Sequence, residues 1–357
     1  MSHLLLTGAG FSYNWGGWLA SEAFEYLLGA PELDDYCRDL LWVHKDSGGF
    51  EKALSVLQTG NPNPVGGSPL RQMEAAIRAM FDAMNRGFFR DGFELEFMRP
   101  PETGASSVAE FLARFDAIFT LNQDLLLEIG YCQRAGPIPQ ALNPRWTALD
   151  FPGMQTRVQP TPLSPAGAWV GSRCPTPSVR SVAPANASTQ PIYKLHGSSN
   201  WVDETGNHLL IMGGDKPSSI KGSKVLSLYM LEFERRLREP DTHVMIIGYG
   251  FRDDHINTAL RTAAETGSLK AFIIDPAGAD APDLFRDRTT RIKPAGPEHP
   301  IQRALIGASR RPLSRIFGGD AIERDKVLRF FGPQPTPPAQ PYSDYRRQRF
   351  AERSGQA

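Results

Sequence analysis

The sequence predicts an α/β fold, a parallel sheet flanked by helices. Two observations carry that expectation. Short apolar runs at residues 3–6, 117–121, 192–195, 243–247 and 269–274 each end in small or polar residues. Nearly continuous apolar strands of that kind are buried on both faces, as in parallel sheets. Helical spacing fills the intervals between them, most plainly in the strand–helix–strand pattern of the final third.

Each element has its own reason. Residues 3–6 read as a strand running into the turn Gly8-Ala9-Gly10. A helix over 18–28 follows, with Leu19, Ala23, Tyr26 and Leu27 on one side. Mixed apolar spacing over 31–60 predicts short helices, and 61–69 is a loop rich in Asn, Pro and Gly. Met73, Ile77, Met80, Phe81 and Met84 mark a helix over 69–86. A shorter helix over 107–114 leads into the strand 117–121, and the next helix starts at Asp124 and runs to 130. Between Gly136 and Pro191 stand eleven prolines with little periodicity. That predicts a long irregular excursion with a short hairpin at 168–170, a length that suits a lid or a contact surface. Order returns with the strand 192–195 and with short strands at Trp201 and 209–212. Residues 224–237 form an amphipathic helix, and 243–247 a buried strand. Asp253 caps a helix over 254–266, and Asp275-Pro276 closes the last strand, 269–274. From Gly332 the chain is Pro-rich, then polar and arginine-bearing, and reads as a mobile tail.

The resulting organisation is one domain over 1–332 and a tail over 333–357. The domain has a core at 1–30, 105–135 and 190–280, a helical insertion at 31–104 and the irregular insertion at 136–191. Of the 357 residues, 39 are basic and 39 acidic. No basic excess marks a nucleic-acid face, and zero net charge does not oppose self-association into a homo-oligomer. No apolar run approaches the roughly 20 residues of a membrane span, and no export signal precedes the first strand. Cys37, Cys132 and Cys174 are far apart and odd in number, which fits the reducing cytoplasm and no disulfide framework. The absence of any Cys-x-x-Cys pair excludes a zinc ribbon, and the histidines at 44, 208, 243, 255 and 299 show no metal-ligand spacing.

Four stretches carry chemistry. Gly8-Ala9-Gly10-Phe11-Ser12 sits between a strand and a helix, where glycines let backbone N–H groups approach a pyrophosphate. It is not the six-residue dinucleotide fingerprint, since Tyr13 occupies the third glycine position, and a plain tight turn is the alternative. Thr120, Asn122 and Asp124 alternate after an apolar strand, with Gln123 between the last two. Extended backbone would put the three on one side, ready to grip a carboxamide and a ribose hydroxyl; alternatively Asp124 caps the following helix. His196 ends an apolar run and is followed by Gly197-Ser198-Ser199. An imidazole there is a candidate general base, or else a packed residue bonded to backbone. Gly248-Tyr249-Gly250-Phe251 follows another buried strand and suits close passage of a ligand or a simple turn. Asp275 either accepts from an adenosine ribose or is a solvated turn residue.

Taken in order, these stretches resemble the sirtuin-type NAD-binding fold, and more narrowly its prokaryotic SIR2-like branch, which hydrolyses NAD+ in antiphage defence. The matched pieces are Gly8 to Ser12, Thr120 to Asp124, Lys194 to Ser198, and Gly248 to Phe251 with Asp253, His255, Ile256 and Asn257. The resemblance implies a Rossmann-like parallel sheet and NAD+ as substrate, with no metal. It implies that Gly8, Ala9, Gly10 and Ser12 hold phosphates and the adenosine-side ribose, with Phe11 beside them. Asn122 and Asp124 would bind the nicotinamide-ribose end, flanked by Thr120 and Gln123, and Asn122 would place the attacking water. His196 would be the catalytic base, and Gly248, Gly250, Phe251 and Asp275 would line the adenosine side. Deacylases of this fold carry four zinc-binding cysteines after the histidine and a short Asn-to-His connection. This chain has no such cysteines and about seventy intervening residues, which points to NAD+ cleavage over deacylation. The alternative is an NAD+- or ADP-ribose-binding regulatory or scaffold subunit. Control by assembly, or by a separately encoded HerA-like ATPase or Argonaute-like partner, is a further implication.

Overall fold

The computed structural model describes residues 1–60, 68–88, 95–97, 107–133, 145–156, 173–176, 179–184, 186–283 and 300–332. Among the described residues, eleven strands form two sheets. The first holds β1 (Ser2–Thr7), β2 (Ala117–Thr120), β3 (Ala148–Asp150), β6 (Thr189–Lys194), β9 (Thr242–Ile247), β10 (Lys270–Ile274) and β11 (Leu305–Ser309), in the order β11-β10-β9-β1-β2-β6-β3. Every pairing in it is parallel. The second sheet holds β4 (Met154–Thr156), β5 (Arg173–Pro175), β7 (Gly197–Val202) and β8 (His208–Leu210).

The five apolar runs of the sequence thus become adjacent central strands. Leu4, Leu5 and Leu6 are fully buried, as are Ala117, Ile118 and Phe119 beside them. Parallel register puts the carboxyl ends of β10, β9, β1, β2 and β6 on one edge. From β1 the chain moves to β2 and β6 on one side, and later to β9 and β10 on the other. The crevice at that reversal, above β1, is where ligands bind in open α/β sheets.

The helices are α1 (Ala9–Tyr13), α2 (Ala20–Leu28), α3 (Asp35–His44), α4 (Gly49–Thr59), α5 (Pro69–Phe88), α6 (Val108–Leu112), α7 (Lys216–Gly222), α8 (Lys224–Leu237), α9 (Asp254–Glu265), α10 (Pro300–Ala304), α11 (Leu313–Ile316) and α12 (Ala321–Leu328). In α8 the apolar stripe Val225, Leu226, Tyr229, Phe233 and Leu237 is buried. Phe233 packs 4.9 Å from Phe119, and Tyr229 lies edge-on to Tyr193 at 5.0 Å. The stripe of α5 is buried as its spacing predicts, and Asn85 is buried with it.

Four expectations are corrected. The turn at Gly8 runs at once into the one-turn helix α1, ahead of the expected helix. The segment after Asp124 is a π-helix, Leu127–Gln133, a form concentrated at functional sites. The Pro-rich insertion is partly ordered: it adds β3 to the edge of the main sheet and supplies β4 and β5 to the second. The chain past 280 adds a strand, β11, that apolar spacing did not reveal. The hairpin expected at 168–170 and the tail from 333 lie outside the described residues. Among the described residues no helix is long and apolar enough to cross a membrane, and all three cysteines are free thiols.

Candidate active site

The site is assembled from four turns on the carboxyl edge of the main sheet. Where β1 ends, the Thr7 hydroxyl donates to Thr120 Oγ1 at 2.8 Å, and the same oxygen accepts from Asn122 N at 3.0 Å. Thr120 therefore anchors backbone and is fully buried. Beyond it, Asn122 Nδ2 donates to Ser12 Oγ at 2.8 Å, and the Asp124 carboxyl lies close to the same hydroxyl. The two residues thus face Ser12 together, as alternation predicts. Asp124 also accepts from Leu126 N at 3.0 Å, so the helix-start reading holds as well.

The glycines of the first and fourth turns pack on each other. A Cβ on Gly10 would lie 2.7 Å from Gly248 Cα, and one on Gly248 would lie 2.4 Å from Gly10 C. Gly248 has φ +59°, a region costly for residues with a Cβ. The N–H groups of Gly8, Gly10 and Phe11 are bonded to the carbonyls of Ile247, Gly248 and Gly8. Close backbone packing, and not free N–H groups awaiting a phosphate, is what these glycines supply here. Gly250 is less confined: a Cβ there would meet only Arg252 Cγ, at 4.0 Å. Phe11 and Phe251 are buried in the core. Phe251 holds φ +53°, a strained value for a bulky residue, and Asn257 Nδ2 fixes its carbonyl at 2.7 Å.

His196 sits on the tight turn from β6 into β7. Gly197 makes the turn possible: its φ is +72°, and a Cβ would lie 2.0 Å from Leu209 O. Gln123 Nε2 donates to the carbonyls of Ile211 and His196, so its amide ties the two sheets together. Asn85, from the helical insertion, accepts from Leu125 N at 2.9 Å and donates to Ser199 Oγ at 3.0 Å. Behind the Asn122 turn, Lys194 Nζ donates to Asp124 O at 2.6 Å and to Glu128 Oε1 at 2.7 Å.

The imidazole of His196 reaches across the edge. Its Nε2 lies 3.0 Å from His255 Nε2 in the first turn of α9, although β2 and β1 separate their parent strands. Sequence spacing missed this pair, because the residues are 59 apart and only the strand order unites them. Asp253 does not cap α9 as expected. Its carboxylate accepts from Lys216 Nζ at 2.8 Å, and Lys216 also bonds Glu51 at 2.8 Å. Burial pushes His196 down to about 3, opposed by Asp253 and reinforced by Lys216. His255 is lowered for the same reasons. Burial also favours protonating Asp253, but His196 and Lys216 outweigh it and hold the carboxyl low. Asp124 is raised by burial, against the pull of Lys194. Exposure is 3% at His196, 7% at Asp124 and 9% at Asn122, so the edge is closed in this conformation. Asp275 lies at the same edge and accepts from Ala277 N at 2.8 Å, as a turn residue does. A surface depression lined by Leu269, Lys270 and Arg303 lies at the opposite edge of the sheet and has no part in this chemistry.

Comparison with known families bears on the same region. Residues 116–292 match a family model described as SIR2-like domain. That segment of the chain is similar to SIR2-like domains. No match was found among curated proteins. The matched segment holds the Asn122 and His196 turns, the second glycine turn and α9, and it begins after β1. The Gly8–Ser12 turn packs onto the matched segment through the pairing of β1 with β2 and the Ser12–Asn122 bond. Domains of this family bind NAD+.

Proposed function

We propose that the SIR2-like domain hydrolyses NAD+ at the nicotinamide–ribose bond, releasing nicotinamide and ADP-ribose. The observation that supports this reading is the placing of a carboxamide, Asn122, and a buried imidazole, His196, just past the carboxyl ends of the neighbouring strands β2 and β6, with His196 reaching across the reversal to His255. Nicotinamide in NAD+ is already a cationic leaving group. Its departure builds oxocarbenium character on the ribose, as in glycoside hydrolysis. Asn122, fixed by Ser12, would orient water at the anomeric carbon. His196, neutral at pH 7, is in the state that accepts a proton from a ribose hydroxyl or from that water. Burial keeps the reacting centre away from bulk solvent.

The expected outcome is that His196→Ala and Asn122→Ala each lose nearly all nicotinamide release while remaining folded by circular dichroism. Wild-type turnover in both would overturn the proposal. One observation favours a second reading, binding without cleavage: His196 Nε2 is engaged by His255. NAD+ binding by calorimetry with no nicotinamide release would support it. A role in antiphage defence through NAD+ depletion, with control by assembly or by a partner, rests on the resemblance and belongs to the same proposal.

A further inference from the structure

His255 has no part in the reaction as written above, yet among the described residues it makes the one side-chain hydrogen bond of the His196 ring. The facing Nε2 atoms are 3.0 Å apart, with ring centroids at 5.2 Å. At that separation both nitrogens cannot carry a proton, and two bare lone pairs would repel. The contact needs one N–H donor and one acceptor. The carboxylate of Asp253 is close enough that one ligand atom from each of the three residues lies within 4.8 Å of the others. A divalent cation in that cluster would stand against the Lys216 ammonium, which Asp253 Oδ1 already holds at 2.8 Å. A proton shared between two neutral rings adds no net charge beside that ammonium.

Resting on the NAD+-cleaving reading, we propose that His255 is a positioning residue for His196, holding its imidazole through one shared proton and taking that proton over when His196 receives another. The step balances. An O–H bond of the ribose or of water breaks, and its electron pair stays on oxygen. Its proton passes to His196 Nδ1, which has no hydrogen-bond partner among the described residues. At the same time the Nε2 proton of His196 moves to His255 Nε2, leaving His196 neutral and His255 cationic. The charged groups facing His255 are Asp253 and Asp254, which favour that cation, and Lys216, which opposes it. Glu51 offsets Lys216 through its ion pair.

The test uses the full chain and His255→Gln, a residue that keeps a hydrogen-bonding amide and cannot take up a proton. We expect kcat for nicotinamide release to fall on the order of 100-fold, the low end of what a positioned proton carrier contributes. KM should stay within about 2-fold, and the acidic limb of the kcat–pH profile should move. His255→Ala should lose at least as much. Wild-type kcat and an unchanged pH profile in His255→Gln would overturn the proposal. Imidazole 15N NMR separates its failure from that of the parent reading, since it needs no turnover. Wild type should show His196 in one fixed tautomer, and the tautomer should become mixed in His255→Gln. An unchanged His196 signal would sink the shared proton even if NAD+ is cleaved. An inactive wild type that passes the NMR test would sink only the parent reading. Tight binding of zinc ion alone to wild type, lost in His255→Gln, would overturn the proton in favour of a cation.

Discussion

Lys194→Met removes a buried cation while keeping the length of the side chain. Lys194 and Glu128 are 2% and 3% exposed, with Nζ to Oε1 at 2.7 Å. Three acceptors then lose or lack a partner. Asp124 O loses its 2.6 Å donor, Glu128 Oε1 keeps only Ser198 Oγ at 3.4 Å, and Glu128 Oε2 already has none. Breaking a buried pair from one side costs about 3–5 kcal/mol, because the remaining charge stays desolvated. Met adds apolar contact, so the lower half of that range is expected. Lys194→Met/Glu128→Leu removes both charges, and such replacements are often neutral or stabilising. The double variant should therefore recover most of the loss. Urea unfolding followed by tryptophan fluorescence measures both, with the buried Trp201 on β7 as a local reporter. A single variant within about 1 kcal/mol of wild type, or a double variant no better than the single, would refute the claim of an uncompensated buried carboxylate.

Two further outcomes follow from the same geometry. His196 is held at about 3 when folded, whereas a free imidazole titrates near 6.5. The unfolded chain therefore takes up this proton first as pH falls, and stability drops between those values by about 1.4 kcal/mol per pH unit. Between pH 7 and pH 5, wild type should lose about 2 kcal/mol more than His196→Gln does; parallel urea-midpoint curves for the two would show that the ring is not buried. Gly248→Ala combines a left-handed backbone with a Cβ 2.4 Å from Gly10 C. It should cost roughly 3 kcal/mol or more, whereas Gly250→Ala, whose Cβ meets only Arg252 Cγ at 4.0 Å, should cost far less. Equal unfolding midpoints would contradict the packing of the two glycine turns.

The sheet was legible in the sequence because its strands are apolar on both faces, a signal that survives without any knowledge of neighbours. The same holds for α5 and α8, whose stripes have helical period. The Asn122 and His196 turns were legible for a related reason: a polar or titratable residue placed directly after a buried strand must lie at the sheet edge. What stayed hidden depends on strand order. Nothing in the spacing of His196 and His255 indicates a 3.0 Å contact, and nothing local to Glu51 or Asn85 ties the helical insertion to the site. Asp253 is an instructive case. Its position before a helix is that of a cap, but Lys216, brought in by α7, offers a stronger partner and takes the carboxylate. The glycines were expected to admit a ligand's phosphates or to form plain turns; in the structure the closely approaching partner is the other glycine turn.

Both reactive candidates arrive already engaged, Asn122 by Ser12 and His196 by His255, and the first engagement can be tested separately. If the Ser12–Asn122 bond were a resting latch that substrate must replace, Ser12→Ala would remove a competitor worth about 0.5–1.5 kcal/mol and tighten NAD+ binding by up to about 10-fold. The structure favours the other role. Ser12 Oγ holds the Asn122 amide at 2.8 Å, and the Asn122 backbone is separately pinned by Thr120 Oγ1 at 3.0 Å. A side chain fixed at both its backbone and its amide is held for use, as a water-orienting group must be. Ser12→Ala should thus leave the calorimetric affinity for NAD+ within about 2-fold and lower kcat by roughly 10-fold, since a loosened amide costs turnover more than binding. Tighter binding with kcat preserved would reverse the conclusion and make Ser12 a latch.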